Sequence, residues 1–333
     1  MIRLLTFGTL AAIALGGLGA SAQQPVFRGE SDTVRVYATV TDKDGRLMTT
    51  LVQKDFEVRD EGKPQPITVF DNSPQPIQLV VMLDVSGSMQ GNLQLLRASA
   101  QQLFMRLGPD DVARLGSFGH EVSISPEFTR DPNQLRKGLP EEIAADAPTP
   151  LWKAVDQAMD AFKKDSDLRR VVLVLSDGRD SGPTSFKQKY VSQVDVIDRA
   201  RRDDVMVYAI GMHSRGPRRL SGPVSAQDLQ NSLAADLPDA GLALVAQETG
   251  GGYSEVRPTE NLGAAFAQVA DELHSQYLLG FTPPKRDGKK HDIEVKVSQR
   301  GAKPRARKNY VAPSEPKQAL APLAEPLFRK LPL

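Results

Sequence analysis

The 333-residue sequence has no cysteine, four histidines and a single tryptophan. Without cysteine there can be no disulfide-stapled scaffold, thiolate zinc centre, iron–sulfur cluster or cysteine nucleophile. Four scattered histidines leave little material for a multi-histidine metal centre. Charge of one sign is also lacking: 42 basic and 41 acidic residues leave a formal net charge of +1, without the basic excess of a nucleic-acid binder. No G-x-x-x-x-G-K-[ST] stretch offers a phosphate cradle, and beyond the amino-terminal leader no apolar run is long enough to span a bilayer. What remains is ordinary globular composition, with 40% hydrophobic and 25% charged residues, and it excludes wholesale disorder.

The leader itself reads as an address. Arg3 precedes an apolar stretch that closes at Ala20-Ser21-Ala22, the pattern of a secretory signal peptide cleaved after Ala22. The alternative, an uncleaved anchor, has about the right length, but the stretch is rich in Gly and Ala and its small-residue exit favours cleavage. The absence of a following cysteine excludes a lipoprotein anchor. The expectation is a periplasmic or secreted protein whose mature chain holds no integral membrane segment.

Residues 27–75 read as an N-terminal β segment. Val34, Val36, Ala38 and Val40 alternate with polar neighbours, the period of a half-buried strand, and Phe56–Val58 and Ile67–Phe70 are further runs. Asp42-Lys43-Asp44-Gly45 is a turn signal; it lacks the third ligand and distant Glu of a calcium loop. From residue 76 to 276 the grammar changes. Ile77–Leu83 is almost continuously apolar, the mark of a strand covered on both faces, and apolar helices and strands then alternate. The spacing predicts helices near 93–107, 151–162, 186–197, 239–248 and 260–275, with buried strands near 112–118, 171–175 and 205–210. This pattern predicts a doubly wound, mainly parallel α/β sheet. Residues 212–237 interrupt it as a long loop with a short helix near Gln227–Ala235, and Gly250-Gly251-Gly252 reads as a helix stop. Strand-like runs at Tyr277–Phe281, Ile293–Val297 and Tyr310-Val311 place a C-terminal β segment at 277–312. It is expected to pair with the N-terminal one in a smaller β-sandwich-like domain. Residues 313–333 are proline-rich and read as a disordered tail.

The chemistry concentrates where strands end. In open α/β sheets ligands bind at the carboxyl ends of the strands, and the strand ending at Leu83 runs straight into Asp84-Val85-Ser86-Gly87-Ser88-Met89. Asp84, Ser86 and Ser88 are thereby delivered together to that rim. Asp177 follows the strand Val171–Leu175 to the same rim. Thr149, before Pro150 and Leu151, reads on its own as a helix N-cap. Such an all-oxygen set suits Mg²⁺, Mn²⁺ or Ca²⁺ and not zinc or copper. The bland alternative is a helix start capped by hydroxyls.

DVSGSM, TPLWKAV and LSDG together resemble the von Willebrand factor A domain with its metal-ion-dependent adhesion site, over roughly residues 76–276. The flanking VTDKDGRLMTTLVQKDFEVRDEGKPQPITVF, YLLGFTPP and KKHDIEVKV are similar to the secreted bacterial VWFA-related family. The resemblance implies that Ser86, Ser88 and Thr149 bind the ion through hydroxyls, while Asp84 and Asp177 act largely through water. Neutral hydroxyl ligands would leave the cation able to attract a carboxylate from a partner protein. Ala147-Pro148 departs from the glycines that usually precede this threonine, which implies a stiffer loop. The resemblance also suggests that displacement of the last helix on ligand binding could reach the terminal β domain.

Other residues take plainer readings. Trp152 reads as packing near the rim, and Asp180 as a turn residue rather than an extra rim acid. His120 has no serine–aspartate partner pattern to suggest catalysis. The basic residues between 285 and 308 read as a solvated strand face rather than an anionic-surface site. The function expected is therefore a non-enzymatic, divalent-metal-dependent protein-binding module for adhesion or scaffolding. The rivals are a metal-dependent hydrolase, a partner subunit of an AAA-type ATPase, and a structural module with an idle metal site.

Overall fold

The computed structural model describes residues 33–163, 166–182, 190–213, 237–257 and 260–314. The signal peptide, the helix near Gln227–Ala235 and almost all of the tail expected from the sequence lie outside the described residues. Four short strands come first: β1 (Val34–Thr41), β2 (Phe56–Asp60), β3 (Lys63–Gln65) and β4 (Val69–Asp71). Then follow β5 (Ile77–Asp84), α1 (Leu93–Phe104), β6 (Val112–Phe118), β7 (Val122–Ile124), α2 (Pro132–Lys137) and α3 (Leu151–Asp160). Next are β8 (Arg169–Ser176), α4 (Gln193–Asp203), β9 (Val205–Met212), α5 (Ala240–Thr249), β10 (Tyr253–Val256) and α6 (Leu262–Leu273). The remaining strands are β11 (Tyr277–Phe281), β12 (Lys290–Val297), β13 (Lys303–Arg305) and β14 (Asn309–Val311).

The central sheet has the order β10-β9-β8-β5-β6-β7. Its pairs are parallel except β6–β7. Every residue of β5 is buried, because helices cover both faces. Ile77, Leu79, Val81 and Leu83 pack with residues of α1 and α6, while Val80 and Met82 pack with residues of α3, α4 and α5. Each such aliphatic side chain contributes roughly 2 kcal/mol of burial. β5 lies between β6 and β8, so the chain crosses to opposite sides of it. That crossing point is where an open α/β sheet forms its ligand crevice.

Two antiparallel four-stranded sheets accompany it, ordered β13-β1-β11-β4 and β14-β12-β2-β3. They share one core that includes Val36, Ala38, Phe56, Val58, Tyr277, Leu279, Ile293 and Tyr310. β1 pairs with β11 from Val34↔Phe281 to Ala38↔Tyr277, and β2 with β12 from Phe56↔Val297 to Asp60↔Ile293. Strands from before and after the α/β region thus interleave. α6 leads into β11 through Gln276, which is buried. Its amide donates to Thr39 Oγ1 at 2.8 Å and Tyr208 Oη at 3.2 Å, and its carbonyl accepts from Arg169.

Several local readings acquire a physical cause. Asp42 Oδ1 accepts from the amides of Asp44 and Arg46 at 2.8 and 2.9 Å, so its carboxylate closes a turn. Gly250, at φ +83°, terminates α5, and a Cβ on Gly251 would lie 1.9 Å from the Val207 carbonyl oxygen. Of the basic residues after 285, Lys290 and Lys296 lie on the solvated side of β12. Arg305, Arg307 and Lys308 instead fold back onto Glu272, Asp204 and Glu248 of the α/β region.

Candidate functional site

Three loops meet at the carboxyl end of the central sheet, and backbone bonds lace them together. The Gly87 amide donates to the Ala147 carbonyl at 3.0 Å, and the Ser181 amide to the Thr149 carbonyl at 2.9 Å. Gly87 is needed for the first of these approaches, since a Cβ there would fall 2.0 Å from the Ala145 oxygen. The Asp84 loop is thereby tied to the Thr149 loop, and the Thr149 loop to the segment after Asp177.

Asp84, the last residue of β5, is fully buried, and so nearly are Ser86 and Asp177. The Ser86 amide donates to Asp84 Oδ1 at 2.8 Å, and the Ser176 hydroxyl donates to Asp84 Oδ2. The Ser88 hydroxyl donates to Asp177 Oδ1 at 2.7 Å. The hydroxyl oxygens of Ser86 and Ser88 stand 3.0 Å apart. Thr149 is buried, and a Cβ built on Gly178 would lie 3.0 Å from its Oγ1; glycine after Asp177 makes room for the threonine. Burial pushes the Asp84 carboxyl up to about 7 against the hydroxyls of Ser176 and Ser86, and the charge of Asp177 adds to the rise. Two acids are held close together there among neutral donors, an arrangement that favours a bound cation.

The N-cap expected of Thr149 is corrected. Pro150 occupies the cap position of α3 and no side chain caps there, because the proline shifts the helix start one residue on. Asp180 serves that helix end instead: its Oδ1 accepts from the Trp152 amide at 3.3 Å and its Oδ2 from the Gly182 amide at 3.0 Å. Burial raises the Asp180 carboxyl as well. Trp152 is buried against Gly241, where a Cβ would meet its ring at 2.6 Å. His120 lies 3.2 Å from exposed Asp146, an arrangement of solvated surface groups. Ser176 was not singled out from sequence; its position at the end of β8, beside Asp177, is the signal that could have identified it.

A second grouping, Asp60, Glu61 and His291, has ligand atoms within 4.8 Å of one another. His291 Nδ1 faces Asp60 at 3.1 Å and Nε2 faces Asp287 at 3.2 Å. Burial works against its charge, but the hydrogen bonds and charges of Asp60 and Asp287 outweigh that and raise its pKa. Both ring nitrogens are already engaged by carboxylates, so the geometry here is that of a hydrogen-bonded histidine–acid cluster.

Residues 79–180 match the family profile of the von Willebrand factor type A domain, a span that includes Asp84, Ser86, Ser88, Thr149 and Asp177. No curated protein sequence matches the chain. Solved structures with a similar fold include the conserved hypothetical protein BatB from Bacteroides thetaiotaomicron. It is 16% identical, covers 59% of this chain and 97% of its own, and has a TM-score of 0.44. The vWF domain of the type V pili tip protein Mfa5 from Porphyromonas gingivalis is 14% identical, with coverages of 60% and 95% and a TM-score of 0.44. Proximal thread matrix protein 1 from the mussel byssus, with a zinc-occupied MIDAS motif, is 14% identical, with coverages of 63% and 48% and a TM-score of 0.41.

Proposed function

From a chain that carries a von Willebrand factor type A domain over residues 79–180, we propose a divalent-ion-dependent protein-binding module. It works outside the cytoplasm and captures an acidic side chain of a partner protein. Ser86, Ser88 and Thr149 would hold the ion through their hydroxyls, and Asp84 and Asp177 through water. A divalent cation supplies a Lewis-acidic position that a carboxylate oxygen can fill.

The observation that carries this reading is the pair of serine hydroxyls. Their oxygens lie 3.0 Å apart, close enough for both to serve one hard divalent cation. The Ser88 hydrogen is already given to Asp177, which turns the oxygen lone pairs of Ser88 away from that acid. Asp84 is fixed by the Ser86 amide and the Ser176 hydroxyl. The carboxylates thus orient the hydroxyls while charge stays off the ligand atoms themselves. The hydrolase reading needs a general base poised at this rim; Asp180 is turned into the start of α3 and His120 toward Asp146.

Calorimetry on the chelator-stripped protein tests the ion, and an acidic peptide titrated with and without Mg²⁺ tests the capture. Uptake of one Mg²⁺ or Mn²⁺, lost in Ser86→Ala/Ser88→Ala, is the expected result. Uptake of none of Mg²⁺, Mn²⁺ or Ca²⁺ would overturn the proposal. Metal uptake without metal-dependent peptide binding would leave only a structural ion.

A further inference from the structure

At the opposite end of the central sheet, where β8 and β9 begin, a partly open cavity of about 180 Å³ separates the α/β region from the β1 sheet. Five arginines line it: Arg35, Arg169, Arg170, Arg201 and Arg307. Three acids, Asp167, Asp204 and Glu248, line it too, and two of these are engaged, Asp204 with Arg307 and Glu248 with Lys308. The lining thus keeps a surplus of two positive charges.

Arg169 is the decisive residue. It is only 6% exposed, yet among the described residues no carboxylate lies within ion-pair distance of it. Its guanidinium donates to the Gln276 side chain and, at 2.7 Å, to the Leu273 carbonyl. It also lies over the Tyr37 ring, 4.7 Å from the centroid. Its Nε and that of Arg307 are buried without a hydrogen-bond partner. A buried charge is ordinarily paired, and an unmade hydrogen bond to a charged group is costly. Arg35, exposed at the cavity and without an ion pair among the described residues, adds a further guanidinium.

We propose that this cavity is an anion site that takes a compact phosphate dianion. The charge surplus matches a dianion, and planar guanidinium groups fit phosphate oxygens two at a time. The volume admits an ion of this size with its bridging waters. The seam between two packed layers is a usual place for such a cavity.

The test is titration of the full chain with inorganic phosphate, at fixed ionic strength and with EDTA present so that the rim site contributes nothing. Saturable one-to-one binding and a rise in melting temperature are expected. Arg169→Met, which keeps the bulk and removes the guanidinium, should abolish both. Arg35→Ala, at an exposed position, should weaken binding about tenfold or more while leaving the fold intact; it decides the matter if Arg169→Met does not fold. Absence of saturable binding, or binding unchanged in Arg35→Ala, overturns the proposal.

Discussion

Replacing Ser176 by alanine tests the site's architecture without touching a proposed ligand. The hydroxyl is fully buried, donates to Asp84 Oδ2 and accepts from the Gly178 amide at 3.2 Å. Alanine therefore orphans one buried carboxylate oxygen and one amide at the same time. Each unmade partner costs about 1–3 kcal/mol, with the charged acceptor toward the top of that range, so a loss of roughly 3–5 kcal/mol is expected before relaxation. In a domain of this size each kcal/mol moves the melting temperature by about 2–4 °C, and thermal unfolding in EDTA should fall by roughly 6–20 °C. A carboxylate freed to rotate is also a poorer outer partner for an ion, so Mg²⁺ affinity should drop about 10- to 100-fold. Calorimetry and melting curves on the same preparation give both numbers. A variant that melts within about 1 °C of wild type and takes up Mg²⁺ equally well would show that Ser176 does not hold Asp84.

Three further outcomes follow from the geometry. Gly251→Ala places a methyl group 1.9 Å from the Val207 carbonyl, so β9 or the turn must move. Urea denaturation should show a loss of roughly 3 kcal/mol, and an unchanged midpoint contradicts the close approach. Asp180→Ala removes the acceptor at the start of α3 and should cost about 1 kcal/mol of stability with Mg²⁺ uptake unaltered; lost uptake would make Asp180 a ligand. His291, facing Asp60, Asp287, Glu61 and the Tyr310 hydroxyl, has a folded pKa above its ordinary 6.5. Its contribution is fully present below pH 6.5 and is lost as pH rises through the raised value. The melting-temperature gap between wild type and His291→Gln should therefore shrink as pH rises from below 6.5 into the alkaline range, and a gap that widens refutes the raised pKa.

The sheet was legible because burial on both faces leaves an unbroken apolar run, as in Ile77–Leu83, and helices leave a 3.6-residue period. The short elements β7, β10, β13 and α2 were not, because three to six residues carry too little periodicity to outweigh turn signals. Asp84, Ser86 and Ser88 stood out because a tight turn follows a buried strand. Thr149 was misread as a cap because a threonine before proline has that propensity, and only the tertiary tie between Ser181 and Thr149 shows the loop held otherwise. The arginine cavity was invisible to sequence. Arg35, Arg169, Arg201 and Arg307 come from four separate segments, and nothing local distinguishes a buried guanidinium from a solvated one.

The ladder between β1 and β13 has a mechanical meaning. It joins Thr39, Val40 and Thr41 to Arg305, Pro304 and Lys303, and Arg307 reinforces it by donating to the Arg35 carbonyl at 2.5 Å. A pull that draws residue 33 away from residue 314 meets the end pairs Val34↔Phe281 and Asp287↔Ser314 before it reaches this three-pair clasp. All of these pairs close within the terminal sheets, so the load path bypasses the six-stranded sheet and its rim until they part. Proline at the centre of the clasp withholds one donor, which makes it the weaker of the two ladders that β1 forms.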